Sequence, residues 1–207
     1  MKLNVPFYKQ TTPLNCGPSA LRMVLAYLDK DLGLEILEEK IGVKEGKGVS
    51  TIRLAIASAS LGYKTDFYSK HILFNEKNVN LDYYKQYGDM NLRESEILIK
   101  KAKEEGVNIQ EKSLSLEELL EMVKEKSVPI ILLDWNIVLG KKEEGYQGHF
   151  VPIVGHDNEN VYVHNHGFKN TKAFFPIDKS LFDKARRAKG TDEDIVVIYA
   201  KYAVLHD

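Results

Sequence analysis

Gln10-Thr11-Thr12-Pro13-Leu14-Asn15-Cys16-Gly17-Pro18-Ser19-Ala20-Leu21 is the stretch that decides the fold. It holds the single cysteine of a 207-residue chain. Beyond it Ala20, Leu21, Val24, Leu25 and Leu28 recur at helical spacing, with Pro18 close to the first helical position. Proline there followed by such a period predicts a helix from about Pro18 to Tyr27 or Leu28. Cys16 then stands at the helix N-terminus, where unpaired N–H groups and the helix dipole favour an anion. A thiol so placed is expected to ionise more readily than a free one. Gln10, upstream in the same loop, carries an amide able to donate to a developing oxyanion. Together these are the parts of a cysteine nucleophile.

The rest of the composition narrows the setting. A hydrophobic content of 43% suits one globular domain with a real core, expected to span 1–207. The formal charge of −1, from 29 Lys and Arg against 30 Asp and Glu, argues against a nucleic-acid or membrane-surface partner. One cysteine makes no intrachain disulfide, so no oxidising compartment is implied. Met1 to Pro6 lacks the apolar core of a signal peptide, and no later run is long enough to span a bilayer. The expected location is the cytoplasm; oligomeric state stays open.

Outward from the first helix, Leu32, Leu34, Ile36, Leu37 and Ile41 suggest a second short helix closing at Gly42, and Ile52, Leu54, Ala55, Ala57 and Leu61 a third, with Ser50 as N-cap and Gly62 as stop. Tyr63 to Tyr68 is strand-like. Residues 71–91 alternate polar residues with Phe74, Tyr83, Tyr84 and Tyr87 without a clean period, and read as an insertion or substrate-facing loop. Amphipathic helices follow at Leu92 to Glu105 and Leu116 to Lys126, the second opened by the capping box Ser115-Leu116-Glu117-Glu118. From Pro129 strands take over: Ile130 to Leu133 is a continuous apolar run, His149 to Gly155 and Val161 to Asn165 form a hairpin, and Ile195 to Val204 closes the chain. Phe174 to Pro176 is a strand edge and Asp178 to Ala188 a helix. Helices first and an antiparallel sheet second is the order of an α+β fold.

A thiol nucleophile needs a base, and the base an orienting partner. Of six histidines, His149, His156, His164 and His166 crowd the hairpin. Side chains alternate along a strand, so a hairpin centred on Asn158 pairs residues of equal parity. His149 then shares a face with Val151, Ile153, Val161, Val163 and Asn165, while Phe150, His164 and His166 take the other. His149 and Asn165 become neighbours, and a one-residue slip would replace Asn165 by His164 or His166.

Here the sequence resembles a family, the C39-like peptidases, relatives of the papain-like cysteine proteases. The resemblance rests on Val5-Pro6-Phe7-Tyr8-Lys9-Gln10 and Asn15-Cys16-Gly17-Pro18-Ser19-Ala20, then on Gly148-His149-Phe150-Val151-Pro152-Ile153-Val154-Gly155 and Val161-Tyr162-Val163-His164-Asn165. It covers the two ends of the chain and leaves about 30–145 without a matching motif. It implies a papain-like α+β fold, with a helical N-terminal half packed on a C-terminal antiparallel sheet. It also implies roles: Gln10 for the oxyanion, Cys16 as nucleophile, His149 as base and Asn165 as orienting residue. Many members carry Asp-Pro where this chain has Asn165-His166, and a neutral partner stabilises an imidazolium less than a carboxylate does. The implied protein is a cysteine peptidase acting on a peptide or protein substrate, with no cofactor and no metal.

Plainer readings stand beside these. A lone cysteine is commonly a small buried hydrophobe. His156 and His206 read as packed or solvated, and Trp135 and Phe150 as core. The three tyrosines read equally as groove or satellite cluster, and Lys141 to Glu144 as a solvated loop. His164 and His166, two apart on one face, suit a metal pair but lack a third ligand of zinc-like spacing. With the same triad the protein is alternatively an acyltransferase; without chemistry, it is a peptide-binding module.

Overall fold

The computed structural model describes residues 1–201, the side chain of Lys142 apart. The expected extension of the closing strand to Val204, and His206, lie outside the described residues. In chain order the elements begin with helices α1 (Cys16–Leu28), α2 (Leu34–Ile41) and α3 (Thr51–Ser60) and strand β1 (Thr65–Ser69). Next come α4 (Asp82–Tyr87), α5 (Leu92–Glu104), β2 (Asn108–Glu111) and α6 (Leu116–Glu121). The last part is β3 (Ser127–Asp134), α7 (Trp135–Val138), β4 (Gly148–His156), β5 (Asn160–Asn165), β6 (Lys172–Asp178), α8 (Lys179–Arg186) and β7 (Ile195–Tyr199).

Local signals account for the boundaries. Gly42 closes α2 at φ 73°, a conformation glycine adopts without the Cβ penalty. Ser115 and Glu118 form the expected capping box, but α6 stops at Glu121 instead of Lys126. The reason is local: Met122 and Val123 donate back to Leu119 and Leu120 in tight turns, and Lys124 bridges Ser127. Ser50 precedes α3 but caps nothing with its side chain. Residues 71–91 are more ordered than a loop, holding a 3-10 turn at Glu76–Asn78 and then α4.

All seven strands join one sheet in the order β2-β1-β7-β3-β4-β5-β6. The fold is α+β, but the sheet is not purely antiparallel: β1 and β2 pair in parallel. Parallel neighbours need a long crossover, and α4 and α5 lie in that connection. Two strands of the helical half thus extend the sheet beyond β7, which an alternation of apolar residues cannot reveal. Pro176 falls on the edge strand β6, where a missing donor is tolerated.

β3 is buried along its whole length, as its apolar run requires, so both its faces are covered. Helix α1 packs on β4 and β3, α3 on β7 and β1, and α8 on β3, β5 and β6. Ala20, Leu21, Met23, Val24 and Leu25 of α1 are fully buried. At about 1.5–3 kcal/mol for each large side chain, that contact holds the start of α1 against the sheet.

The β4–β5 register pairs Ile153 with Val163, as a hairpin centred on Asn158 demands. A bulge then shifts it, so that Gly155 faces Tyr162. Its cause is the N-terminus, which bridges β4 at Gly155 and donates from Leu3 N to Val154 O at 2.7 Å. Among the described residues, no helix is long and apolar enough to cross a membrane.

Candidate functional site

The site forms where the first residue of α1 meets the beginning of β4 and the end of β5. Asn15 organises the approach: its Oδ1 accepts the N–H groups of Thr11 at 3.2 Å and Thr12 at 3.1 Å, and its Nδ2 donates to Thr11 Oγ1 and Glu38 Oε1. Folded round that side chain, the loop brings Gln10 against the sheet, where its backbone N–H donates to His166 O at 3.0 Å. Gln10 Nε2 donates to Thr12 O at 3.0 Å, and its Oε1 is buried without a partner.

Cys16 is buried, with 8% of its surface exposed. Burial pushes its thiol up; the backbone N–H groups of Phe150, Gly17 and Cys16 itself work against that shift without overcoming it. The expected easy ionisation is therefore not found. The N–H groups of the helix start do act, but desolvation of the sulfur outweighs them.

His149 is buried, its ring edge-on to Trp135 at 4.9 Å and 5.0 Å from the ring of His166. Burial, then the neighbouring His166, holds its pKa well below the usual histidine range, while the Asn165 side chain favours the charged ring. Nε2 has no hydrogen-bond partner, so that influence of Asn165 acts without a well-formed bond to it. Both shifts favour the uncharged forms, thiol and imidazole.

Asn165 is fully buried and fixed by its amide, which donates to Lys169 O at 2.9 Å and Asn170 O at 2.7 Å. Its Oδ1 accepts from Gly167 N–H at 3.4 Å. A methyl built on Gly167 would lie 3.4 Å from His149 Cε1 and 3.5 Å from Asn165 Oδ1, so the three residues converge at one point. The parity argument places His149 and Asn165 correctly.

It fails for His166. Past Asn165 the strand ends, and His166 turns toward His149 instead of the opposite face: Nε2 lies 2.9 Å from Cys16 O and Nδ1 3.0 Å from His164 O. Only a charged ring donates to both carbonyls, while burial keeps the pKa below the usual value, so the two demands oppose each other. His164 accepts Phe174 N–H on Nδ1 at 3.1 Å, which puts its proton on Nε2, 2.8 Å from Val5 O. That bond supports Phe174 at φ 50°, a strained left-handed backbone for a bulky residue. With their ring nitrogens so engaged, His164 and His166 form no metal pair. Among the described residues, no three His, Cys, Asp or Glu side chains cluster as metal donors.

Tyrosines cover the site. Tyr83 on α4 directs its hydroxyl at Gly148 O, 3.4 Å away, and lies close enough to Cys16 to feel its charge. Tyr146 packs edge-on to Tyr83 at 5.3 Å and stacks on Tyr84 at 5.5 Å. Trp135 is core, as its sequence reading has it, and also touches His149; the sequence signal for Tyr146 is its nearness to Gly148.

A family model described as guanylylate cyclase matches residues 5–198. The chain belongs to that family. Guanylyl cyclase 1 of Arabidopsis thaliana is 23% identical over 209 residues, covering 95% of this chain and 76% of that protein. Among solved structures, a double glycine motif protease from an AMS/PCAT transporter, in complex with its leader peptide, superposes with a TM-score of 0.57 at 19% identity, over 97% of this chain and 94% of that one. A C39-like peptidase from Bacillus anthracis gives 0.54 at 17%, over 97% and 98%. This guanylylate cyclase family member therefore has the papain-like fold of C39 peptidase domains.

Proposed function

We propose that the protein is a thiol-dependent hydrolase that cleaves a peptide or isopeptide bond through an acyl-enzyme on Cys16. The observation that carries this reading is the tie of Cys16 O to the His166 ring at 2.9 Å, that ring lying 5.0 Å from the ring of His149, so that the start of α1 meets the start of β4. Because both groups start neutral, His149 acts as general base during attack: the S–H proton passes to the ring as sulfur bonds to the substrate carbonyl. The second N–H of Gln10 Nε2 and the Cys16 N–H receive the oxyanion. The C–N bond then breaks, His149 gives its proton to the leaving amine, and water releases the acyl group as acid and free thiol. Asn165 orients His149 throughout. Substrate entry displaces Tyr83 and Tyr146. A peptide bound to a protein of this fold supports the substrate class, and an unpaired cysteine suits the cytoplasm.

A second reading follows from the family name and from the Arabidopsis relative: conversion of a guanine nucleotide. One experiment separates the two. The protein and its Cys16→Ala variant are incubated with a mixed peptide library and, separately, with GTP and magnesium, and products are followed by mass spectrometry. Peptide release that vanishes in Cys16→Ala and falls roughly 10²–10³-fold in Gln10→Ala supports the hydrolase. Absence of peptide release, or GTP turnover indifferent to Cys16→Ala, overturns it.

A further inference from the structure

Beside Cys16 lies a cavity of about 160 Å³, bounded by Val49 and Phe150 on the side that touches Gly17. Its size is close to the roughly 150 Å³ that admits a benzene ring in a protein core. One wall is aromatic: Tyr83, Tyr84 and Tyr146, with Tyr84 and Tyr146 only 13° from parallel. The opposite end is polar. Thr51, 2% exposed, presents a hydroxyl that favours the Asp194 carboxylate without a well-formed bond to it, and Ser50 Oγ and Asp194 Oδ1 are buried with no partner at hydrogen-bond distance. An ordered domain rarely leaves three such oxygens together without a donor to meet them.

The charges lining the cavity do not balance. Asp89 is answered by Arg53 at 2.9 Å. Asp192 accepts only neutral amides, from Asn75 at 2.9 Å and Asn78 at 2.7 Å. Among the described residues no lysine or arginine pairs with Asp192 or Asp194; Lys70, the near cation, reaches Glu193 instead. Two carboxylates facing aromatic rings, with unmet oxygens between them, form the complement of a flat organic cation: the rings attract it through their faces and a carboxylate accepts two parallel N–H bonds.

We propose that this cavity binds a planar amidinium or guanidinium group, seated against Tyr84 and Tyr146 with its N–H donors on Asp194 and Thr51. The site requires no thiol chemistry and stands whether or not Cys16 is a nucleophile. Binding is measured at pH 8, where the Asp194 carboxyl, raised by burial to about 7, is ionised.

The probes are benzamidine and its neutral analogue benzamide, titrated into the full-length protein by calorimetry and by chemical shift. Benzamidine binds, benzamide binds at least about tenfold more weakly, and Asp194→Asn removes that preference, a change of about 1.4 kcal/mol or more. The comparison of two probes on the unaltered protein needs no variant to fold, and Tyr146→Leu tests the wall separately by weakening benzamidine. Equal affinity for the two probes, absence of benzamidine binding, or a preference that survives Asp194→Asn overturns the proposal. So does tight binding of GMP that depends on Asp194 without any binding of benzamidine, since the cavity then reads a purine edge.

Discussion

The ring of His166 holds the backbone carbonyl of Cys16 at 2.9 Å, tying the first residue of α1 to the end of β5. That bond, with the Gln10 N–H on His166 O, fixes the Gln10–Cys16 loop to the sheet independently of the Cys16 and His149 side chains. Replacing His166 by Ala removes this bond and leaves Cys16 O with its intrahelical partner alone. The expected loss is about 0.5–1.5 kcal/mol of unfolding free energy in urea titration. Unchanged stability would mean that the contact contributes nothing.

The sulfur is guarded by burial, not activated by charge. Iodoacetamide is expected to label Cys16 slowly near neutral pH, with an apparent pKa above the free-thiol value of about 8.5. Tyr83→Ala and Tyr146→Ala open the cover, and labelling is expected to speed up by about tenfold or more. Fast labelling of the unaltered protein at pH 7 would contradict the raised thiol.

Asp194 supplies a pH test. Burial pushes its carboxyl up to about 7 from 3.8, against the pull of the Ser69 and Thr51 hydroxyls. Between those values the folded protein keeps a proton that the unfolded chain releases. Its contribution is present below about pH 4 and is lost as pH rises through 7, on the order of 4 kcal/mol in all. Asn cannot titrate, so Asp194→Asn is expected to outlast the unaltered protein in urea at pH 8, with the gap narrowing toward pH 5. A gap independent of pH would refute the shift.

Gly155 sits where the N-terminus crosses β4. A Cβ there would lie 2.3 Å from Met1 O and 2.8 Å from Lys2 Cα, both backbone. Gly155→Ala is expected to push the first strand-like residues off the sheet and cost about 1–3 kcal/mol. Hydrogen exchange at Leu3 N, now bonded to Val154 O, should rise with it. An unaltered exchange rate there would exclude that displacement.

Much of this was legible in the residues themselves. The start of α1, the capping box at Ser115, the apolar run of β3 and the parity that puts His149 beside Asn165 all depend on neighbours in sequence or on one short hairpin. Period, cap and turn chemistry act over a few residues, so they can be read from a few residues. The bulge at Gly155, the turn of His166 out of its strand and the parallel β1–β2 pair belong to tertiary structure, because each is set by chain arriving from far away.

The same division explains the chemistry. Sequence determined that Gln10, Cys16, His149 and Asn165 occur in an order suited to thiol catalysis, with N–H groups at a helix start to meet the sulfur. Only the folded molecule decided their protonation, because desolvation depends on everything packed around a group. Burial of the Cys16 thiol, assembled from segments far apart in the chain, outweighs the N–H groups of the helix start.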